Sequence, residues 1–164
     1  NVPEAGVVFS AAGHTHIGGA QGNTLGLDAL QVDEQSAEAA AAVTLGAAYT
    51  TIIDLPSMTV AVGDRIFAYA LVYPTKGASA GNIAIRISQA AGTAVISAYN
   101  DRTETEEIDY VAATTSPKFA LSSVFNVTTA GTLTLRLDGT SIGSDSTVAI
   151  GNGQIYALVL RGTG

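Results

Sequence analysis

The chain carries two histidines, His14 and His16, and no cysteine. Both stand in Gly13-His14-Thr15-His16-Ile17-Gly18-Gly19. In an extended backbone, residues i and i+2 point to one face, so both imidazoles can reach a common point. Neutral imidazole is the commonest protein metal ligand. Two ligands do not close a site, so the set must be completed elsewhere in the chain or by further copies of it. Three copies meeting on a threefold axis would supply six nitrogens, an octahedral set that suits Fe, Ni or Zn by ligand type. Glycine on either side would let three backbones approach closely. The competing reading is that the two rings hydrogen-bond in a turn or hold an attachment contact.

The remaining chemistry-bearing groups are less directed. Asp101, Glu104, Glu106, Glu107 and Asp109 form an acidic cluster. Close oxygen ligands can hold Ca²⁺, but the spacing is not that of an EF-hand loop and fits a strand edge guarded by charge. A two-metal hydrolase needs more histidines than the chain has. A serine, histidine and carboxylate set can be drawn on paper, but the histidines lie apart from any core strand, and nothing points positively to an enzyme. Tyr49, Tyr69, Tyr73, Tyr99, Tyr110 and Tyr156 can stack on sugars, so a host-surface glycan is a possible partner. Aromatic residues are only 6% of the chain and Trp is absent, so a dedicated lectin platform is not indicated.

The elements that must position these groups read as strands. Hydrophobic residues make up 47% of the 164 and charged residues 13%, about half the usual charged share. A chain so short of charge is expected to bury some surface against other subunits. Net charge is −7 and the lysines are Lys76 and Lys118, so no phosphate-binding footprint exists and nucleic acid is not an expected partner. Neither a basic amphipathic helix nor an apolar run of bilayer-spanning length is present, so no membrane contact is expected. No leader-like segment is legible, and Asn1 leaves a processed start open. Without cysteine the chain is indifferent to redox compartment.

Three regions follow. Residues 1–30 are glycine-rich and without sustained periodicity, and are expected to form an extended arm in which Val7, Val8 and Phe9 can pair or dock. Residues 31–48 are alanine-rich and are expected to be a linker or a short helix. Residues 49–164 carry nine clear short segments rich in Val, Ile, Thr and Tyr, with a weaker tenth near 107–111. Turn signals separate them, among them Ala91-Gly92, Ala130-Gly131, Asp138-Gly139 and Gly151-Asn152-Gly153. The expected fold class is all-β, an antiparallel β-sandwich or barrel preceded by an extended arm.

Alternation predicts which faces are wet. Ile83, Ile85 and Ile87 oppose Ala84, Arg86 and Ser88, and Leu133, Leu135 and Leu137 oppose Thr134 and Arg136. Two segments differ: Ile66–Tyr73 and Ile155–Leu160 are apolar on both faces. In a two-layer sandwich the outer face of such a strand needs a cover. An identical subunit is the economical one, and Phe67, Tyr69, Tyr156, Leu158 and Leu160 are the candidate interface residues.

Gly13-His14-Thr15-His16-Ile17-Gly18-Gly19-Ala20-Gln21-Gly22, with Leu25-Gly26-Leu27-Asp28-Ala29-Leu30 after it, resembles a segment of tailed-bacteriophage structural proteins in trimeric fibres and related appendages. In some short tail fibres of that kind, His-x-His pairs from three chains bind an axial metal ion; only His14 and His16 match here. The later segments, Thr129–Leu135 and Gly153–Leu160, are similar in style to jelly-roll domains of viral decoration proteins and C1q/TNF-like trimers. The resemblance implies a virion-surface homotrimer, a capsid decoration, head-fibre or fibre-tip protein held to capsid or tail proteins by its arm. Two other readings stay open: an extracellular filament subunit joined by donor-strand exchange through Val7-Val8-Phe9, and a carbohydrate-binding receptor module.

Overall fold

A computed structural model describes residues 8–9, 15–16, 32–98 and 105–161, the side chains of 32, 98 and 105–108 and of the four arm residues excepted. The described elements are strands throughout: β1 Val8–Phe9, β2 Thr15–His16, β3 Val32–Glu38, β4 Val43–Leu45, β5 Thr50–Asp54, β6 Met58–Val60, β7 Arg65–Lys76, β8 Gly81–Gly92, β9 Val95–Ala98, β10 Thr105–Val111, β11 Phe119–Thr129, β12 Gly131–Ser141 and β13 Ser146–Leu160.

β1 and β2 pair with each other. The rest form two antiparallel sheets. One has the order β3-β13-β7-β11-β9, with β4 also on β13; the other has β10-β8-β12-β5, with β6 also on β12. Treat β3 and β4 as one strand and set aside the short β6 and β9. The sheets then read 1-8-3-6 and 2-7-4-5 in chain order. That is the double Greek-key winding of a jelly roll; the strand count and turn spacing predicted an antiparallel sandwich or barrel, and the two-sheet sandwich is what forms.

Period-two alternation builds the core between the sheets. Ile66, Ala68, Ala70 and Val72 of β7, Ile155, Ala157 and Val159 of β13, and Phe119, Leu121, Phe125 and Val127 of β11 face inward from the six-stranded sheet. Ile83, Ile85 and Ile87 of β8 and Leu133, Leu135 and Leu137 of β12 meet them from the other. Alanines at 68, 70 and 157 leave room for the opposing Ile and Leu side chains, as a close-packed interior requires.

Three expectations are corrected. Residues 31–48, read as a linker or short helix, contain β3 and β4, both hydrogen-bonded to β13. Helix propensity of the alanines loses because an edge of β13 is open there, and tertiary pairing outweighs a few tenths of a kcal/mol per residue. Asp138-Gly139, read as a turn, lies inside β12, which runs on to Ser141. A Cβ at Gly139 would sit 2.9 Å from Leu45, 3.0 Å from Ile85 and 3.1 Å from Ile52, so this glycine answers to packing rather than to turning. Gly151-Asn152-Gly153, also read as a turn, is an irregularity within the single strand β13, where the register on β7 shifts between Val148 and Gly153 and Gly151 has φ of 77°.

Candidate functional site

The outer face of the six-stranded sheet carries the feature that most demands a partner. Along β7, the residues between the buried ones are Arg65, Phe67, Tyr69, Leu71 and Tyr73; along β13 they are Gln154, Tyr156, Leu158 and Leu160. Cross-strand register sets Tyr69 opposite Tyr156 and Phe67 opposite Leu158. The Tyr69 and Tyr156 rings lie 6.4 Å apart, tilted by 36°, within the range of favourable aromatic pairs. Val124 of β11, opposite Phe67, extends the patch. Phe67 is 42% exposed, Tyr156 39% and Tyr73 37%, so large apolar side chains face water across neighbouring strands. Lys118 places its Nζ 5.7 Å from the centre of the Tyr73 ring at one border, and Glu34, Ser36 and Glu38 of β3 form another.

All five residues expected at a subunit interface, Phe67, Tyr69, Tyr156, Leu158 and Leu160, lie on this face. Leu71 and Tyr73 were not singled out, although the i, i+2 spacing from Phe67 and Tyr69 already pointed to them. The arm residues fare differently. His14 and Val7 lie outside the described residues, as does the side chain of His16. Val8 pairs with His16 and Phe9 with Thr15, so the described backbone of the expected donor segment is engaged with its own chain. Of the acidic cluster, Asp101 and Glu104 lie outside the described residues, while Glu106, Glu107 and Asp109 are on β10, the edge of the five-stranded sheet. Among the described residues no group of three or more His, Cys, Asp and Glu side chains is placed to hold a metal ion.

The outer face of the five-stranded sheet is polar and tightly paired. Asp138, 5% exposed, accepts a hydrogen bond from Ser88 Oγ at 2.9 Å and meets Arg86 Nε at 3.4 Å. Arg136 donates to both oxygens of Asp54, at 2.6 and 2.9 Å, and its Nε lies 3.9 Å from Asp138. That bidentate bond lowers the Asp54 pKa and raises that of Arg136. Arg86 in turn lies 3.9 Å from the centre of the Tyr49 ring, a cation–π contact. Alternation put Arg86 and Arg136 on the wet faces of their strands, but Asp138 was read as a turn residue, and the pairing of the three depends on strand register and was not legible. Beside this network runs a groove of about 310 Å³, walled by the 47–49 loop and Ile142 and floored by Asn82, Ala84 and Thr140.

Two further groups were missed. Lys76 is 1% exposed, and its Nζ donates to Ser141 Oγ, Ile142 O and Ser144 O at 2.8, 2.8 and 2.7 Å. Three neutral oxygens solvate the ammonium and tie the 141–146 loop to the end of β7. The sequence also spells Gly77-Ala78-Ser79-Ala80-Gly81, the Gly-x-Ser-x-Gly pattern of a nucleophile elbow. That elbow joins a strand to a helix; here the segment joins β7 to β8. The Ser79 backbone exchanges hydrogen bonds with Ser144 Oγ, at 3.0 and 3.1 Å, which makes the segment a packed loop.

No protein-family model matches the chain, and no curated protein matches it. Solved structures align with it in part. A chain of the tripod from the baseplate of bacteriophage Tuc2009 is 13% identical, with a TM-score of 0.46 over 98% of this chain and 83% of that one. A chain from the infectious bursal disease virus Gx strain is 10% identical, with a TM-score of 0.46 over 82% of this chain. The VP2 subviral particle of that virus gives 12% and 0.46 over 81%. This chain spans about a third of the length of those two chains, 33% and 34%.

Proposed function

We propose that the chain is a structural component of a virion: a closed homotrimer joined through the aromatic face of its six-stranded sheet and attached to a capsid or tail by residues 1–30. The observation that carries the reading is the apolar strip of Phe67, Tyr69, Leu71 and Tyr73 on β7 beside Tyr156, Leu158 and Leu160 on β13, with Gln154 opposite Leu71 and Arg65 opposite Leu160 as its polar members. A contiguous apolar patch is a liability on a free monomer and is the ordinary material of an interface core. The charged fraction of 13% fits a protein with a covered face. The Gly-His-x-His arm supports attachment to a phage particle by its resemblance to fibre segments. On this reading the molecule sits on the virion surface as a decoration, head-fibre or fibre-tip protein, and its work is mechanical.

Two of the four sheet edges weigh against the filament alternative: β3 and β10 carry Asp33, Glu34, Glu38, Glu106, Glu107 and Asp109, and like charges there oppose strand addition. A metal ion held by His14 and His16 of several chains is the finer form of the arm proposal. Elemental analysis of protein prepared without added metal checks it, the His14→Ala/His16→Ala variant being the control; equal metal content in both overturns it.

The test of the main reading has two parts. Sedimentation of the purified protein should give a discrete species of three times 16.5 kDa, and a monomer or a polymer ladder refutes the closed trimer. Removal of residues 1–30 should preserve that species while abolishing co-purification with density-banded phage particles. Absence of the intact protein from such particles refutes the virion assignment.

A further inference from the structure

We propose that the groove beside Tyr49, on the outer face of β8 and β12, binds a neutral pyranose sugar. Its volume of about 310 Å³ stands at the lower end of ligand pockets, enough for one or two sugar rings. No charged side chain lines it. The neighbouring arginines do not supply an anion site either, because Arg86 faces Asp138 and Arg136 is clamped by Asp54. A pyranose presents apolar C–H faces and a rim of hydroxyls. It therefore needs a flat apolar wall, a shallow floor and a few amide or hydroxyl groups.

The groove supplies each. Tyr49 is the wall and Ile142, 57% exposed, stands at its margin. Ala84 keeps the floor low. Asn82 is exposed and makes no side-chain hydrogen bond among the described residues, so its carboxamide offers both a donor and an acceptor. Thr140 Oγ1 donates to Gly46 O at 2.9 Å, which leaves its lone pairs to accept from a sugar hydroxyl.

The wall is held before any ligand arrives. Gly46 O also accepts from Ser141 N at 2.7 Å, fixing the loop that carries Tyr49. Arg86 holds the Tyr49 ring from one side, and Asp138, itself held by Ser88, holds Arg86. A site fixed in this way loses little conformational freedom on binding. Tyr110 is 75% exposed and stands in register with Asn82 on the neighbouring strand β10. It extends the site toward a second ring, so a short oligosaccharide fits better than a monosaccharide. The groove lies on the sheet opposite the aromatic strip, so the proposal stands independently of trimerisation.

Saturation-transfer NMR of the full chain with maltotriose, cellotriose, triacetylchitotriose and rhamnotriose tests it. At least one should bind saturably. Asn82→Ala should weaken that binding about tenfold or more, as expected for loss of an amide that contacts the ligand, and Tyr110→Ala should weaken binding of the trisaccharide more than of its monosaccharide. Tyr156→Ser on the opposite sheet should leave binding unchanged, and Asn82→Ala should leave the sedimenting mass unchanged. Silence from all four sugars, or binding indifferent to both Asn82→Ala and Tyr110→Ala, overturns the proposal. Uptake of phenol without uptake of any sugar also overturns it, showing an apolar crevice instead.

Discussion

Replacing Phe67 and Tyr156 by serine, singly and together, probes the aromatic strip most directly. A buried Phe or Tyr side chain covers about 200 Å². With Phe67 42% and Tyr156 39% exposed, about 80 Å² of each remains for a partner to cover. At about 25 cal/mol per Å², covering it contributes about 2 kcal/mol per residue. The cost of bringing rigid bodies together is common to wild type and variant, so it cancels in the comparison. Each single substitution should therefore weaken each subunit–subunit contact about 30-fold, and the pair about 10³-fold, since each 1.4 kcal/mol is a factor of ten; three such contacts in a trimer make the effect on assembly larger. The two residues are near neighbours through Tyr69 and Leu158, so departures from additivity of a few tenths of a kcal/mol or more are expected. The assay is sedimentation velocity across a wide concentration series, with thermal unfolding of each variant as the control for folding. The expected result is a dissociation midpoint that moves up in the order wild type, single, double. Association unchanged in a double variant that melts like wild type would refute the reasoning, as would a wild type that is monomeric throughout.

Lys76→Met should destabilise the fold by about 2–5 kcal/mol. It leaves Ser141 Oγ, Ile142 O and Ser144 O without their shared donor at a buried site, and denaturant midpoints at constant m-value check it. Gly139→Ala should cost about 1–3 kcal/mol by overpacking against Leu45, Ile85 and Ile52, read in the same way. For Asp54→Asn the expectation is small and pH-dependent. The Arg136 hydrogen bond lowers the folded-state pKa of Asp54, so its contribution is complete above the ordinary carboxylate pKa near 4 and is lost as pH falls through the lower folded value. The pair is exposed, so the effect should stay below about 1 kcal/mol at neutral pH, and a stability difference between wild type and variant that grows toward acid would contradict the assignment.

Much of this fold is legible from alternation. Ile83-Ala84-Ile85-Arg86-Ile87-Ser88 states which side of β8 is wet, and the doubly apolar Ile66–Tyr73 and Ile155–Leu160 announce two central strands with an unusual outer face. What alternation cannot report is register. The clamp of Asp138 by Arg86 and Ser88 joins residues fifty or so apart in sequence, and only β8–β12 pairing brings them together. Glycine misled for a related reason. Gly139 and Gly153 have the identity of turn residues but are needed where core side chains come too close for a Cβ; Gly153 would place one 2.5 Å from Ile52. Lys76 was passed over because a lone lysine at a strand end is normally solvated, and burial by three loop oxygens has no local signature. The alanine run at 37–42 failed differently: intrinsic preference was read where an available sheet edge decides.

The aromatic strip also has a history in time. Its two halves come from β7 and β13, which pair Arg65 with Leu160, so half of the strip is missing until β13 has been translated. A chain emerging from the ribosome carries Phe67 and Tyr69 early, beside an unfilled gap between β3 and β7 where β13 will lie. Non-local pairing of this kind is slow and exposes apolar strand edges while it waits. The apolar strip is thus finished at the same step as the sheet itself. If it is the subunit contact proposed above, nascent chains on neighbouring ribosomes lack a completed strip to join through, and association waits for subunits that have already folded.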